Sequence, residues 1–109
     1  QVVVRTPSGL SRYTDLPEAL ADMGRASGET APDCRVHFHV PLFLADMNRV
    51  GTTQSYVASV LDLLKETEVC TMLEVETYTW DVLPAEYRNV DQCTAIAREL
   101  AWTRAQLEA

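Results

Sequence analysis

Two pairs of side chains that can bind metals or move protons occur at alternate positions of two short segments. His37 and His39 alternate with apolar residues, and Glu74 and Glu76 alternate with apolar residues in a later segment. Successive side chains of a β-strand point to opposite faces, so each pair would share one face of a strand. The pattern therefore predicts two strands, at residues 35–40 and 73–78, each with one apolar and one chemically reactive face.

If these strands are neighbours, the four side chains form one patch. Residues two apart on a strand are separated by about 6.5 Å, and adjacent strands by about 4.8 Å. Two carboxylates on one buried face repel each other and call for a cation, a proton or a basic partner. Imidazole and carboxylate ligands together suit Zn²⁺, Mn²⁺ or Mg²⁺. An open sheet with one hydrated face would show the same alternation, so a structural role stays open.

Position along the strands assigns roles within this patch. In a closed parallel barrel, catalytic groups stand at the carboxyl ends of the strands. His39 and Glu76 lie nearer those ends, and we predict them as metal ligands. His37 and Glu74 lie deeper, and we predict that they either orient the metal ligands or act as acid–base groups.

Two aromatic residues follow the second strand. Tyr78 and Trp80 would line the mouth of the site, where aromatic surfaces stack on a sugar ring or another flat substrate. Packing within the core is the alternative role for both residues. The sequence contains no G-x-S-x-G, no phosphate-binding glycine loop and no H-E-x-x-H motif.

The elements that would position these residues alternate along the chain. A strand at 2–5 precedes a helix that begins after Asp15, carries the stripe Leu16, Leu20 and Met23, and ends near Gly28. A long loop at 42–50, which could cover a site, separates the histidine strand from a second helix. That helix has an apolar face of Val57, Val60, Leu61 and Leu64. The last helix opens at Asn89, and its apolar face consists of Val90, Cys93, Ile96, Ala97, Leu100 and Leu107. Alternation of strand and helix predicts an α/β fold with right-handed parallel βα units.

Composition limits the class of protein. The 109 residues are 47% hydrophobic, enough for one small domain or fragment spanning 1–109. A formal net charge of −7 disfavours a nucleic-acid partner, and no stretch is long and apolar enough to span a membrane. Cys34, Cys70 and Cys93 lack C-x-x-C spacing, which favours buried free thiols and a cytoplasmic location.

Three stretches resemble a known family. Residues 12–20, 34–43 and 73–84 resemble the C-terminal part of the EboE-type metabolite traffic proteins. These belong to the xylose-isomerase-like TIM barrels, with the sugar-phosphate isomerases and epimerases. The resemblance implies that the chain is the C-terminal portion of a (β/α)8 barrel, incomplete here. It also implies a divalent metal held by residues matching His39 and Glu76 or Glu74, in a site incomplete within this chain.

Three functions remain open at this point. The first is a metal-dependent sugar isomerase or epimerase that processes a sugar-like metabolite, with a carboxylate or histidine moving a proton. The second is a binding or traffic module without turnover, and the third is a purely structural fragment. Open sheet edges also predict association into a homo-oligomer.

Overall fold

A computed structural model of the chain describes residues 1–25, 31–48, 50–67, 69–76 and 80–109. The chain divides into two compact units, Gln1–His39 and Val40–Ala109. Among the residues described, no helix has the length and apolar character needed to cross a membrane.

The first unit contains an antiparallel sheet. Its strands are β1 (Val2–Thr6), β2 (Gly9–Tyr13) and β3 (Asp33–Val36), with β1 between β2 and β3 and antiparallel to both. Two residues connect β1 to β2. The following Gly9 has a φ of 136°, which residues with a Cβ atom rarely adopt. β1 and β2 therefore form a tight hairpin at the start of the chain.

The predicted fold class is wrong, because the described sheets are antiparallel and do not match the parallel βα units of a TIM barrel. A two-residue connection can join only antiparallel strands, whereas parallel strands need a long crossover. The sequence-based interpretation overlooked β2, and with it the hairpin. The predicted strand at 35–40 is shorter and earlier, since β3 ends at Val36. Residues 73–76 form no strand, and the rest of that predicted strand, at 77–79, lies outside the described residues.

One helix covers the sheet of the first unit. Helix α1 (Leu16–Met23) begins at Asp15, whose carboxylate accepts the N–H of Leu16. Its Ala19 packs against Val2 and Val4 of β1, and all three are buried. Leu20 is 54% exposed, so the predicted stripe is wrong at that position. The helix ends at Met23, and the predicted end near Gly28 falls outside the described residues.

The second unit contains a small hairpin and two helices. Strands β4 (Asp46–Met47) and β5 (Val50–Gly51) form the hairpin, and helices α2 (Gln54–Glu66) and α3 (Gln92–Glu108) pack against each other. Two 3₁₀ turns, Trp80–Val82 and Ala85–Tyr87, precede α3. Leu61 of α2 is buried as the helical period predicts, with Val57 and Leu64 half-buried beside it. Val60 is 38% exposed, so the predicted face is wrong at that position.

Helix α3 buries a different face from the predicted one. Cys93, Ala97 and Leu100 are exposed, while Ala95 and Glu99 are buried. Asp91 caps the helix by accepting the N–H of Thr94 at 3.0 Å, so the predicted opening at Asn89 is wrong. The three cysteines are free, but the prediction that all are buried is wrong, because Cys70 and Cys93 are exposed.

Candidate functional site

The two predicted histidines lie together just after β3. Their ring centroids are 5.5 Å apart, with the planes inclined by 40°. The backbone N–H of His37 donates to the carbonyl of Gln1 at 2.9 Å, which continues the pairing beside β1 for one more residue. His37 is exposed and His39 is half-buried.

The predicted carboxylates belong to the second unit. Glu74 and Glu76 are both exposed in a segment without regular structure. The histidine pair belongs to the first unit, so neither unit by itself unites the four side chains. In the described part of the chain, no three His, Cys, Asp or Glu side chains are placed to hold one metal ion. The roles assigned to these four residues stay predictions, as does the divalent metal.

The two aromatic residues predicted to contact substrate have different outcomes. Tyr78 lies outside the described residues. Trp80 is half-buried at the start of the first 3₁₀ turn, and it lines a cavity of about 110 Å³ within the second unit. We call this cavity the Trp80 cleft. Its lining includes the aromatic residues Phe43, Trp80 and Tyr87 and the polar residues Glu86, Asn89 and Arg98.

Local sequence explains how the walls of the Trp80 cleft are placed. Pro84 precedes the 3₁₀ turn that carries Glu86 and Tyr87, and its fixed φ suits the start of such a turn. The cap at Asp91 sets the first turn of α3, so that Ala95 and Arg98, three residues apart, face the cleft together.

The loop that follows Val40 forms the other wall. The predicted covering loop at 42–50 contributes Phe43 and Leu44 to the cleft, although part of it forms the hairpin of β4 and β5. Gln54 donates its side-chain amide to the carbonyl of Leu42 at 2.8 Å. Thr52 donates its hydroxyl to the carbonyl of Leu44 at 2.7 Å. These bonds tie the loop to the start of α2.

Glu99 is the buried ionisable group beside the cleft. It lines a smaller cavity that shares Pro41, Trp80 and Ala95 with the Trp80 cleft. Only 7% of Glu99 is exposed, and its Oε2 accepts the backbone N–H of Leu42 at 3.2 Å. Burial raises the pKa of the Glu99 carboxyl, and the hydrogen bond from Leu42 opposes that rise. A perturbed carboxyl next to a cavity is a common mark of a functional site.

Arg98 is the cation of the cleft. It is exposed, and within the described part of the chain its guanidinium has no hydrogen bond or ion pair. A guanidinium offers five donors in a planar fork that matches carboxylate and phosphate groups. Arg98 is therefore available to an anionic group entering the cleft.

Sequence reasoning missed both Glu99 and Arg98. A signal for Glu99 was present, because it occupies the helical position between half-buried Ile96 and Trp102. A charged residue within an otherwise apolar helical stripe is unusual, since buried charges are costly unless they are paired. No comparable signal distinguishes Arg98 from other exposed arginines of the chain.

A second feature appears on the sheet of the first unit. Arg12 and Arg35 lie opposite Val3 in the two strand pairings, and Arg5 lies two residues further along β1. All three arginines are exposed, and Arg5 forms an ion pair with Asp33. We call this surface the arginine face. The sequence predicts no basic cluster because these residues belong to three different strands, and only strand pairing brings them together.

Comparison with known proteins adds no relative to this picture. The chain matches no protein-family model, no curated protein and no solved structure. The resemblance to the EboE-type proteins therefore stays a prediction that rests on the three quoted stretches alone.

Proposed function

We propose that the second unit is a binding module for a small hydroxylated metabolite, held in the Trp80 cleft without turnover. The observation that carries this proposal is the joint lining of one cleft by three aromatic side chains and the unpaired Arg98. A mostly apolar cavity with a few converging polar groups is the usual form of a small-molecule site.

Volume limits the size of the ligand. The cleft measures about 110 Å³. A closed cavity of roughly 150 Å³ holds a benzene molecule, whereas drug-sized ligands need roughly 300 Å³ or more. The cleft therefore suits one sugar ring that remains partly exposed.

The lining groups suit a sugar in particular. The faces of Trp80 and Tyr87 offer apolar surface to the C–H side of a sugar ring. Asn89 and Glu86 offer hydrogen-bond partners to hydroxyl groups, and Arg98 offers a cation to a phosphate or carboxylate substituent. Such a ligand agrees with the sugar-like metabolite that the sequence predicts.

A fluorescence titration tests this proposal. Glucose, xylose and their phosphates are added to the full chain while tryptophan emission is followed. At about 0.3 kcal/mol per atom, a ligand of about 12 heavy atoms binds with a Kd on the order of 1 mM. Trp80→Phe should weaken binding and remove most of the signal. Trp102→Phe, which changes the other tryptophan and leaves the cleft lining intact, should do neither.

A second pair of variants tests the role of the cation. Arg98→Gln should weaken binding of sugar phosphates about tenfold and leave neutral sugars unchanged. Arg104→Gln is the matched control, because Arg104 lies on the same helix and pairs with Glu108 at 2.6 Å. If no sugar or sugar phosphate gives a saturable change, or if Trp80→Phe binds like the unaltered protein, the proposed function is wrong.

A further inference from the structure

The strongest unexplained feature is an exposed segment in the second unit, residues 69–76. Val69 is 72% exposed and Met72 is 85% exposed, although both are large and apolar. Within the part of the chain that the structure describes, residues 70–75 make no hydrogen bond. Exposed apolar side chains on an unpaired backbone are typical of a segment that pairs with another strand.

The sequence of this segment is suited to a strand. Val69, Thr71, Leu73 and Val75 occupy alternate positions, and three of these four are β-branched. The other positions end in Glu74 and Glu76, so a strand here would have one apolar face and one acidic face at its end. Residues 73–76 also equal β3 in length, at four residues.

The outer edge of β3 offers a complementary partner. Among the described strands, β3 pairs with β1 alone and so forms one edge of its sheet. Its Cys34 and Val36 face the core of the first unit, while Arg35 stands on the arginine face. A strand added along this edge would place apolar side chains beside Cys34 and Val36. The same strand would place Glu74 beside Arg35, whether it runs parallel or antiparallel, because alternation is the same in both directions.

We propose that residues 70–75 of one molecule pair with the outer edge of β3 in a second copy of this chain, by β-strand addition. We assign a second copy as the partner because this one sequence contains both sides of the interface. The segment and the edge of β3 match in apolar residues on one face and in opposite charges on the other face. If each molecule adds its segment to the β3 edge of the other, the result is a closed twofold dimer in which both segments are paired. This interface is separate from the Trp80 cleft and does not depend on the proposed function.

Sedimentation equilibrium of the full chain, over a wide range of protein concentration, tests this interface. A reversible dimer is expected. Arg35→Glu should raise the dimer dissociation constant about tenfold, and Glu74→Lys should do the same, because each sets like charges side by side. The variant that combines both changes should recover most of the affinity, since it restores opposite charges across the interface.

Arg12→Glu is the matched control. Arg12 is an exposed arginine of the same face but lies on β2, at the other edge of the sheet. Its reversal should change the dissociation constant less than twofold. A chain that stays monomeric at every concentration would overturn the proposal. A dimer that responds equally to Arg12→Glu and Arg35→Glu, or that the combined variant does not recover, would overturn it too.

Discussion

Two substitutions of the buried Glu99 should separate the stability that comes from its hydrogen bond from the effect of its charge on stability. Glu99→Ala deletes the oxygen that accepts the N–H of Leu42 at 3.2 Å. Leaving a partly buried N–H without a partner costs about 1–3 kcal/mol. We therefore expect Glu99→Ala to lower the free energy of unfolding of the second unit by about 2 kcal/mol at neutral pH. Glu99→Gln keeps an acceptor oxygen, and we expect it to cost less than about 1 kcal/mol.

The charge of Glu99 makes the stability of the second unit depend on pH, and the sign of this dependence follows from the direction of its pKa shift. Burial raises the pKa of Glu99 above the ordinary value of 4.5, so the folded state favours the protonated form. This preference contributes stability that is fully present below pH 4.5 and is lost as the pH rises through the folded-state pKa. Glu99→Gln removes this titration. As the pH rises from acidic to neutral, Glu99→Gln should therefore become more stable relative to the unaltered protein.

Urea unfolding followed by tryptophan emission measures both effects, because Trp80 and Trp102 belong to the second unit. In thermal unfolding, a loss of 2 kcal/mol corresponds to a fall in Tm of about 8–16 °C for a unit of this size. The reasoning would be refuted if Glu99→Ala cost no more than Glu99→Gln at neutral pH. It would also be refuted if the difference between Glu99→Gln and the unaltered protein were the same at pH 4 and pH 7.

Three further changes test the packing and hydrogen bonds of the fold. Val4→Ala should cost the first unit about 2 kcal/mol, because Val4 is only 2% exposed. Val3→Ala on the opposite face should cost less than half as much, with urea unfolding followed by far-ultraviolet circular dichroism, because both tryptophans lie outside the first unit. Asp22→Asn should lower the pKa of Tyr13 toward 10.0, because the hydrogen bond to the Asp22 carboxylate is the largest cause of the raised pKa. Ultraviolet absorbance against pH measures this pKa, and an unchanged value would show that the cause is wrong. Asp91→Ala should speed amide exchange in the first turn of α3 by removing the cap, and equal exchange rates in the two proteins would contradict that role.

The helices were largely predictable because their signals are local. Asp15 caps α1 as the sequence predicts, and the spacing of Val57, Leu61 and Leu64 identifies the inner face of α2. Both features depend on residues within a few positions of each other. The inner face of α3 was misjudged, because it carries Glu99 where the apolar pattern predicts only hydrophobic residues.

The sheet was not predictable in the same way. A strand such as β3 shows its two faces in its sequence but not its neighbour or its direction. The only local clue was the two-residue connection before Gly9, which indicates an antiparallel hairpin. Once that clue was missed, the alternation of remaining elements favoured parallel units. The histidine and glutamate pairs then seemed to share one interior, an arrangement that neither unit contains by itself.

The sequence by itself determined where the three helices lie along the chain and that Asp15 caps α1, and it made Trp80 a candidate for ligand contact. Only the tertiary structure decided that Glu99 is buried beside that tryptophan and that Arg98 lines the same cleft. It also decided that three arginines from three strands share one face of a sheet. The physical reason is range: caps and helical periods act within a few residues, whereas burial and strand register join residues that are far apart along the chain.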